Sequence, residues 1–138
     1  MKETFVLDAC ALIAFFNDES GADIVEKLLE KAEYNNIDLI MNKINLLEIY
    51  YGIYRDDGIE TASSVIQIIR KMPVQVISSL SDKLFLQAGH LKAKYKISLA
   101  DSIALAEAII RKAKLVTADH HELDRLEKTQ IFEPLWIR

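Results

Sequence analysis

The chain has 138 residues, 51% of them hydrophobic and 28% charged, with four Gly, two Pro and one Cys. That balance is expected of one globular domain, residues 1–138, and excludes low-complexity and disulfide-rich architectures; a lone Cys closes neither an internal disulfide nor a thiolate zinc cage. The formal net charge of −4 excludes nucleic-acid binding by overall charge alone, so a phosphate-bearing substrate would have to meet a local basic patch or a bound cation.

In chain order, Thr4–Asp8 reads as a short buried strand that passes directly into a helix at Ala9–Phe16. After a break at Asn17–Gly21, helical spacing resumes over Ala22–Glu33, with Ile24, Leu28 and Leu29 as its apolar positions. "IDLIMN" is a second strand feeding the helix "KINLLEIYYGIYR", in which Ile44, Leu47, Tyr51 and Tyr54 fall on one side. Asp57-Gly58 marks a turn, Ile59–Lys71 a helix that stops before Pro73, and Val74–Ile77 a third strand. Ser81–Lys96 is amphipathic, with Leu84, Ala88, Leu91 and Tyr95 facing inward, whereas Ser98–Lys112 is apolar around most of its circumference and therefore buried. Lys114–Asp119 is a fourth strand, "HHELDRL" a short helix and "QIFEP" a last edge strand.

Apolar strands alternating with helices predict parallel βαβ units covered on both faces. The expected fold is a three-layer α/β/α sandwich with a mainly parallel central sheet of four to five strands. No apolar run reaches the ~18 residues of a membrane span. The N-terminus enters a strand too early to leave room for a signal peptide, so a cytoplasmic location is expected.

In such sheets ligands bind outside the carboxyl ends of the strands. Asp8 ends the first strand and Asp119 the fourth; Glu48 lies early in the helix after the second strand, and Asp101 in the first turn of the buried helix. Right-handed connections bring these four acids to one edge. Uncompensated, they would repel, raising a pKa or drawing in a cation, and oxygen ligands favour Mg²⁺ or Mn²⁺ over Zn²⁺. Asn45-x-x-Glu48, Ser98-x-x-Asp101 and Asp119-x-x-Glu122 are equally readable as helix capping boxes. Asp8, at a strand end among apolar neighbours, has no such explanation.

"VLDACALIAFF", "NKINLLEIYYGI", "ISLADSIALAEA" and "LVTADHHELDRL", in that order over nearly the whole chain, closely resemble the PIN-domain family, and within it the VapC-type toxin ribonucleases. The resemblance implies a PIN-like fold with Asp8, Glu48, Asp101 and Asp119 as catalytic and metal-binding residues. It also implies one or two Mg²⁺ or Mn²⁺ ions, hydrolysis of RNA phosphodiester bonds, a cognate antitoxin protein and a homodimer. Cys10 stands where family members often carry Ser or Thr, and Asn42 and Asn45 stand at polar positions that are often Ser and Thr. Lys43, Arg55, Lys92, Lys94, Lys96 and Arg111 are candidates for an RNA track, each also readable as a solvated helix charge. "ALIAFF" and the tyrosine-rich helix supply apolar surface for a partner. Two alternatives stand beside this reading. One is a non-catalytic PIN-like RNA-binding module; the other is a haloacid-dehalogenase-type phosphatase, which would want an Asp where the chain has Cys10.

Overall fold

The computed structural model of the protein describes residues 2–138. Strands β1 (Glu3–Leu7), β2 (Ile37–Asn42), β3 (Gln75–Ile77), β4 (Lys114–Thr117) and β5 (Glu133–Trp136) form one sheet in the order β3-β2-β1-β4-β5. Every neighbouring pair is parallel. The helices are α1 (Ala9–Phe16), α2 (Ala22–Glu33), α3 (Lys43–Asp57), α4 (Ile59–Lys71), α5 (Asp82–Lys94), α6 (Leu99–Arg111) and α7 (His120–Glu127).

Successive strand residues point to opposite faces of the sheet, and each face is apolar. Phe5, Leu7, Leu39, Met41 and Val116 join one core with Leu12, Val25, Leu28, Ile49 and Ile69 of α1–α4. The intervening Val6, Ile40 and Leu115 join a second core with Leu84, Leu91, Leu105, Leu123 and Leu126 of α5–α7. This is the expected three-layer sandwich. Each large apolar side chain sealed in either core contributes roughly 1.5–3 kcal/mol relative to exposure. Residues Asp101–Ala108 of α6 are all buried, as the apolar circumference predicts.

The structure refines one local expectation and corrects two. The apolar side read for α3 is its outer one: Leu47 is 51% and Tyr51 50% exposed, and Ile44 and Tyr54 are exposed too. The buried positions are Asn45, Leu46 and Ile49, and Leu46 and Ile49 follow Ile44 and Leu47 by two residues, or about 200° around the helix. Both faces are rich in apolar residues, so periodicity alone cannot choose between them. The N-cap of α3 is Asn42, whose Oδ1 accepts from the Ile44 N–H at 2.8 Å, and Asn45 lies inside the helix. Finally, β5 begins three residues later than "QIFEP" suggests. Gln130 adopts φ +58° in the turn that leaves α7, and pairing starts only at Glu133 against Lys114.

Candidate functional site

The strand order reverses at β1, which has β2 on one side and β4 on the other. Connections leaving in opposite directions open a crevice at the carboxyl ends of β1 and β4. Asp8 follows β1 there, its N–H donating to the Val116 carbonyl at 3.3 Å. Asp119 lies just beyond β4, its N–H held by the Thr117 hydroxyl oxygen at 3.0 Å. The first turn of α6 adds Asp101, and α3 adds Glu48 from the side. A cavity of about 390 Å³ is lined by Ala9, Cys10, Glu48, Tyr51, Arg55, Ser98, Asp101, Asp119 and Glu122, among others.

Asp8 is 2% exposed. Its Oδ1 accepts from the Ala11 N–H at 2.9 Å, making it the N-cap of α1. The expectation that Asp8 has no capping role is therefore wrong: an Asp between a strand and an immediately following helix occupies the cap by position. Capping uses one oxygen only, and Oδ2 is buried without a hydrogen-bond partner. Burial pushes the Asp8 carboxyl up to about 7, against the pull of the nearby Thr117 hydroxyl and the Ala11 N–H; the Asp119 and Glu48 carboxylates push in the same direction as burial.

The other acids are arranged by capping contacts that leave oxygens over. Ser98 caps α6 by accepting from the Asp101 N–H at 3.1 Å. The Ser98 N–H donates not to Asp101, as a reciprocal box would have it, but to Glu122 Oε1 at 3.3 Å. Asp101 is thus freed for the cavity, and burial, then the adjoining Asp119 carboxyl, then Asp8, raise its pKa to about 9. Asp119 Oδ1 accepts from the Glu122 N–H at 3.2 Å. Glu48 is half-buried, and burial followed by the charges of Asp119 and Glu122 raises its pKa.

The sequence reading missed Glu122 as a member of this group. Asp101, Asp119 and Glu122 each offer a carboxylate oxygen, and these lie within 4.8 Å of one another. The i, i+3 spacing of Asp119 and Glu122 was the available signal, since it puts both on one face of a helix. Cys10 is part of the cavity wall rather than a core filler. Burial, then the Asp8 carboxylate, push its thiol up to about 11, so it is neutral.

Two asparagines hold the scaffold. Asn42 Nδ2 donates to the buried Glu107 Oε2 at 2.9 Å, and Asn45 Nδ2 donates to the Ala100 carbonyl at 3.0 Å. Together they fix α3, with Glu48, against α6, with Asp101. Of the basic candidates, Arg111 is taken by Glu107 at 3.1 Å and Lys92 by the Ile97 carbonyl at 2.8 Å. His120 faces the C-terminal segment, stacked on Trp136 and bonded to Asp124 and the Arg138 carbonyl. A larger apolar groove of about 620 Å³, lined by Ile44, Leu47, Leu80, Phe85 and Leu99 among others, lies elsewhere along α3 and α5.

A donor set made wholly of carboxylate oxygens, one of them buried and unpartnered, suits a hard divalent cation. Among the described residues no helix is long and apolar enough to cross a membrane.

The PIN domain family model matches residues 5–129. The chain aligns with one from the DNA-bound VapBC of Salmonella typhimurium at a TM-score of 0.75 and 17% identity, covering 100% of each. With VapBC2 of Rickettsia felis bound to a promoter DNA fragment the values are 0.72 and 19%, over 96% of this chain and 97% of that one. With VapC20 of Mycobacterium tuberculosis, described as a sarcin-ricin loop cleaving toxin, they are 0.67 and 15%, over 88% and 94%. No curated protein matches the sequence significantly. The matched span runs from within β1 to beyond β4 and α7 and contains Asp8, Glu48, Asp101, Asp119 and Glu122, and the chain belongs to the PIN domain family.

Proposed function

We propose that the protein is a cytoplasmic, metal-dependent endoribonuclease and the toxin of a VapBC-type toxin–antitoxin pair. The observation that carries this reading is the buried, unpartnered Oδ2 of Asp8 beside the converging carboxylates of Asp101, Asp119 and Glu122. Such a group of acids is costly without a counter-charge. Family membership and the VapBC neighbours support the choice of nuclease and of an antitoxin partner.

Asp8, Asp101 and Asp119, with Glu48 directly or through water, would hold one or two Mg²⁺ or Mn²⁺ ions. When bound, the metal supplies positive charge at the scissile phosphate and a more acidic water. The chain's own contribution is positional. Asp8 is fixed by the Ala11 N–H, Asp119 by the Thr117 hydroxyl through its backbone, and Asp101 by the Ser98 cap. The carboxylates repel an RNA phosphate when metal-free, so substrate binding and cleavage both depend on the cation. Neutral Cys10 presents a thiol, a weak donor, where a hydroxyl would order water more firmly. The exposed apolar face of α3 and α5 is the surface proposed for a second copy; "ALIAFF" is less suited, since Ala11, Leu12 and Ala14 are buried. The haloacid-dehalogenase alternative is not carried forward, because the chain belongs to a different family.

The test compares wild type with Asp8→Asn on single-stranded and structured RNA in Mg²⁺, Mn²⁺ and EDTA. Cleavage that requires metal and disappears in Asp8→Asn supports the proposal. A folded wild type that binds metal and RNA but cuts neither substrate favours the non-catalytic RNA-binding module. Failure to bind metal refutes the site.

A further inference from the structure

We infer that the RNA backbone crosses the acidic cavity between two cationic anchors, Arg55 on one side and Lys94, Lys96 and Arg125 on the other. This rests on the nuclease reading above and adds to it where the substrate lies. Among the described residues that line the acidic cavity, Arg55 is the only cation. It shares one side of α3 with Glu48, Tyr51 and Gly52, all of them lining residues. Seven residues of helix separate Arg55 from Glu48 by about 10 Å, which suits a phosphate farther along the strand than the one being cut. Gly52 leaves the wall between them low, since a Cβ there would meet nothing within 4 Å. The guanidinium pairs only through Nε, with Asp56 at 3.2 Å, and both side chains are well exposed. Such a pair is weak and leaves the terminal nitrogens available.

A second cavity of about 280 Å³ is lined by Lys94, Lys96, Glu122 and Arg125 among others, and Arg55 is not part of it. Glu122 belongs to both cavities, so the two adjoin. None of these three cations forms a salt bridge among the described residues; Lys94 lies 5.6 Å from the Tyr95 ring centre. An acidic centre flanked by free cations is what a polyanion needs: charge to hold it on both sides and a metal where it is cut. The net charge of −4 makes this local placement necessary.

The experiment follows fluorescence anisotropy of a labelled, mixed-sequence single-stranded RNA in Mg²⁺, read before cleavage accumulates, across a salt series. Arg55→Gln and the pair Lys96→Gln/Arg125→Gln are each expected to weaken binding at least about fivefold and to flatten the salt slope by about 0.7 per charge removed. Arg55→Lys should recover most of the loss. Mn²⁺ affinity by calorimetry should stay unchanged in all of them. Lys31→Gln, at the end of α2 that leads into the amino end of β2 on the opposite edge of the sheet, is the control and should bind as wild type. If wild type binds RNA and Mn²⁺ but the Arg55 and Lys96/Arg125 variants match it, or Lys31→Gln loses as much as they do, the track is wrong and the nuclease reading stands. If wild type binds neither Mn²⁺ nor RNA, both fall.

Discussion

The side-chain amide of Asn42 donates a 2.9 Å hydrogen bond to Glu107 Oε2, joining two buried residues 65 positions apart. Asn42 Oδ1 meanwhile caps α3, and Glu107 Oε1 accepts from Arg111 Nε at 3.1 Å. One buried carboxylate therefore ties the helix carrying Glu48 to the helix carrying Asp101. Glu107→Ala strands the Asn42 amide and removes the partner of Arg111, at an expected cost of about 3 kcal/mol. Glu107→Gln keeps an acceptor for Asn42 and should cost about 1 kcal/mol. Urea unfolding in EDTA measures both; equal stability of Glu107→Ala and wild type would show that the bond does not hold the scaffold.

The metal-free protein should lose stability as pH rises. Asp8 titrates near 7 and Asp101 near 9 in the folded state, both above their ordinary value of 3.8, chiefly because burial disfavours the charge. Between pH 4 and about 9 the folded state consequently binds more protons than the unfolded state, and the unfolding free energy falls with pH. The contribution is fully present below pH 4 and is lost as pH passes through 7 and then 9. Asp101 is ionised in the unfolded chain at pH 8 and must take up a proton to fold, whereas Asp101→Asn is neutral in both states, so at pH 8 the variant should be more stable than wild type by on the order of 1–3 kcal/mol. The check is the urea midpoint against pH in EDTA. A wild-type profile that rises across this range would contradict the sign.

Glu122 tests whether the cavity extends beyond the four acids read from the sequence. Its oxygens lie with those of Asp101 and Asp119 within 4.8 Å, yet Oε1 also accepts from the Ser98 N–H. Glu122→Gln keeps that acceptor and removes the charge. Mn²⁺ affinity by calorimetry should drop about tenfold, with the unfolding midpoint in EDTA little changed. Asp119→Asn retains a good N-cap for α7 and should abolish measurable Mn²⁺ binding. Unaltered affinity in Glu122→Gln would return that residue to a purely capping role.

The parallel strands and the helices between them were legible because each strand is a compact apolar run, and both sheet faces are apolar enough to demand cover. The four acids were legible from the rule that ligands gather at strand carboxyl ends. What periodicity could not supply was choice among equivalents. The two apolar sides of α3 differ only in what packs on them, and the role of Glu122 depends on Ser98, which is 24 residues away. Asp8 was read as a strand residue because a cap and a strand end are the same position when no loop intervenes.

The outer face of α3 leads to the last expectation. Leu47, Phe85, Leu86 and Leu99 are all more than half exposed, and Leu47, Phe85 and Leu99 line the 620 Å³ apolar groove. Solvated leucines add little to folding, so Leu47→Asp and Phe85→Asp should each change stability by no more than about 0.5 kcal/mol. A cluster of this kind normally marks an interaction surface. Given the proposed homodimer, wild type should sediment as a dimer, and the double variant as a monomer with the same thermal midpoint at dilute concentration. A wild type that is monomeric at high concentration would reject self-association through this face. A double variant that unfolds early would show that these side chains pack in the monomer after all.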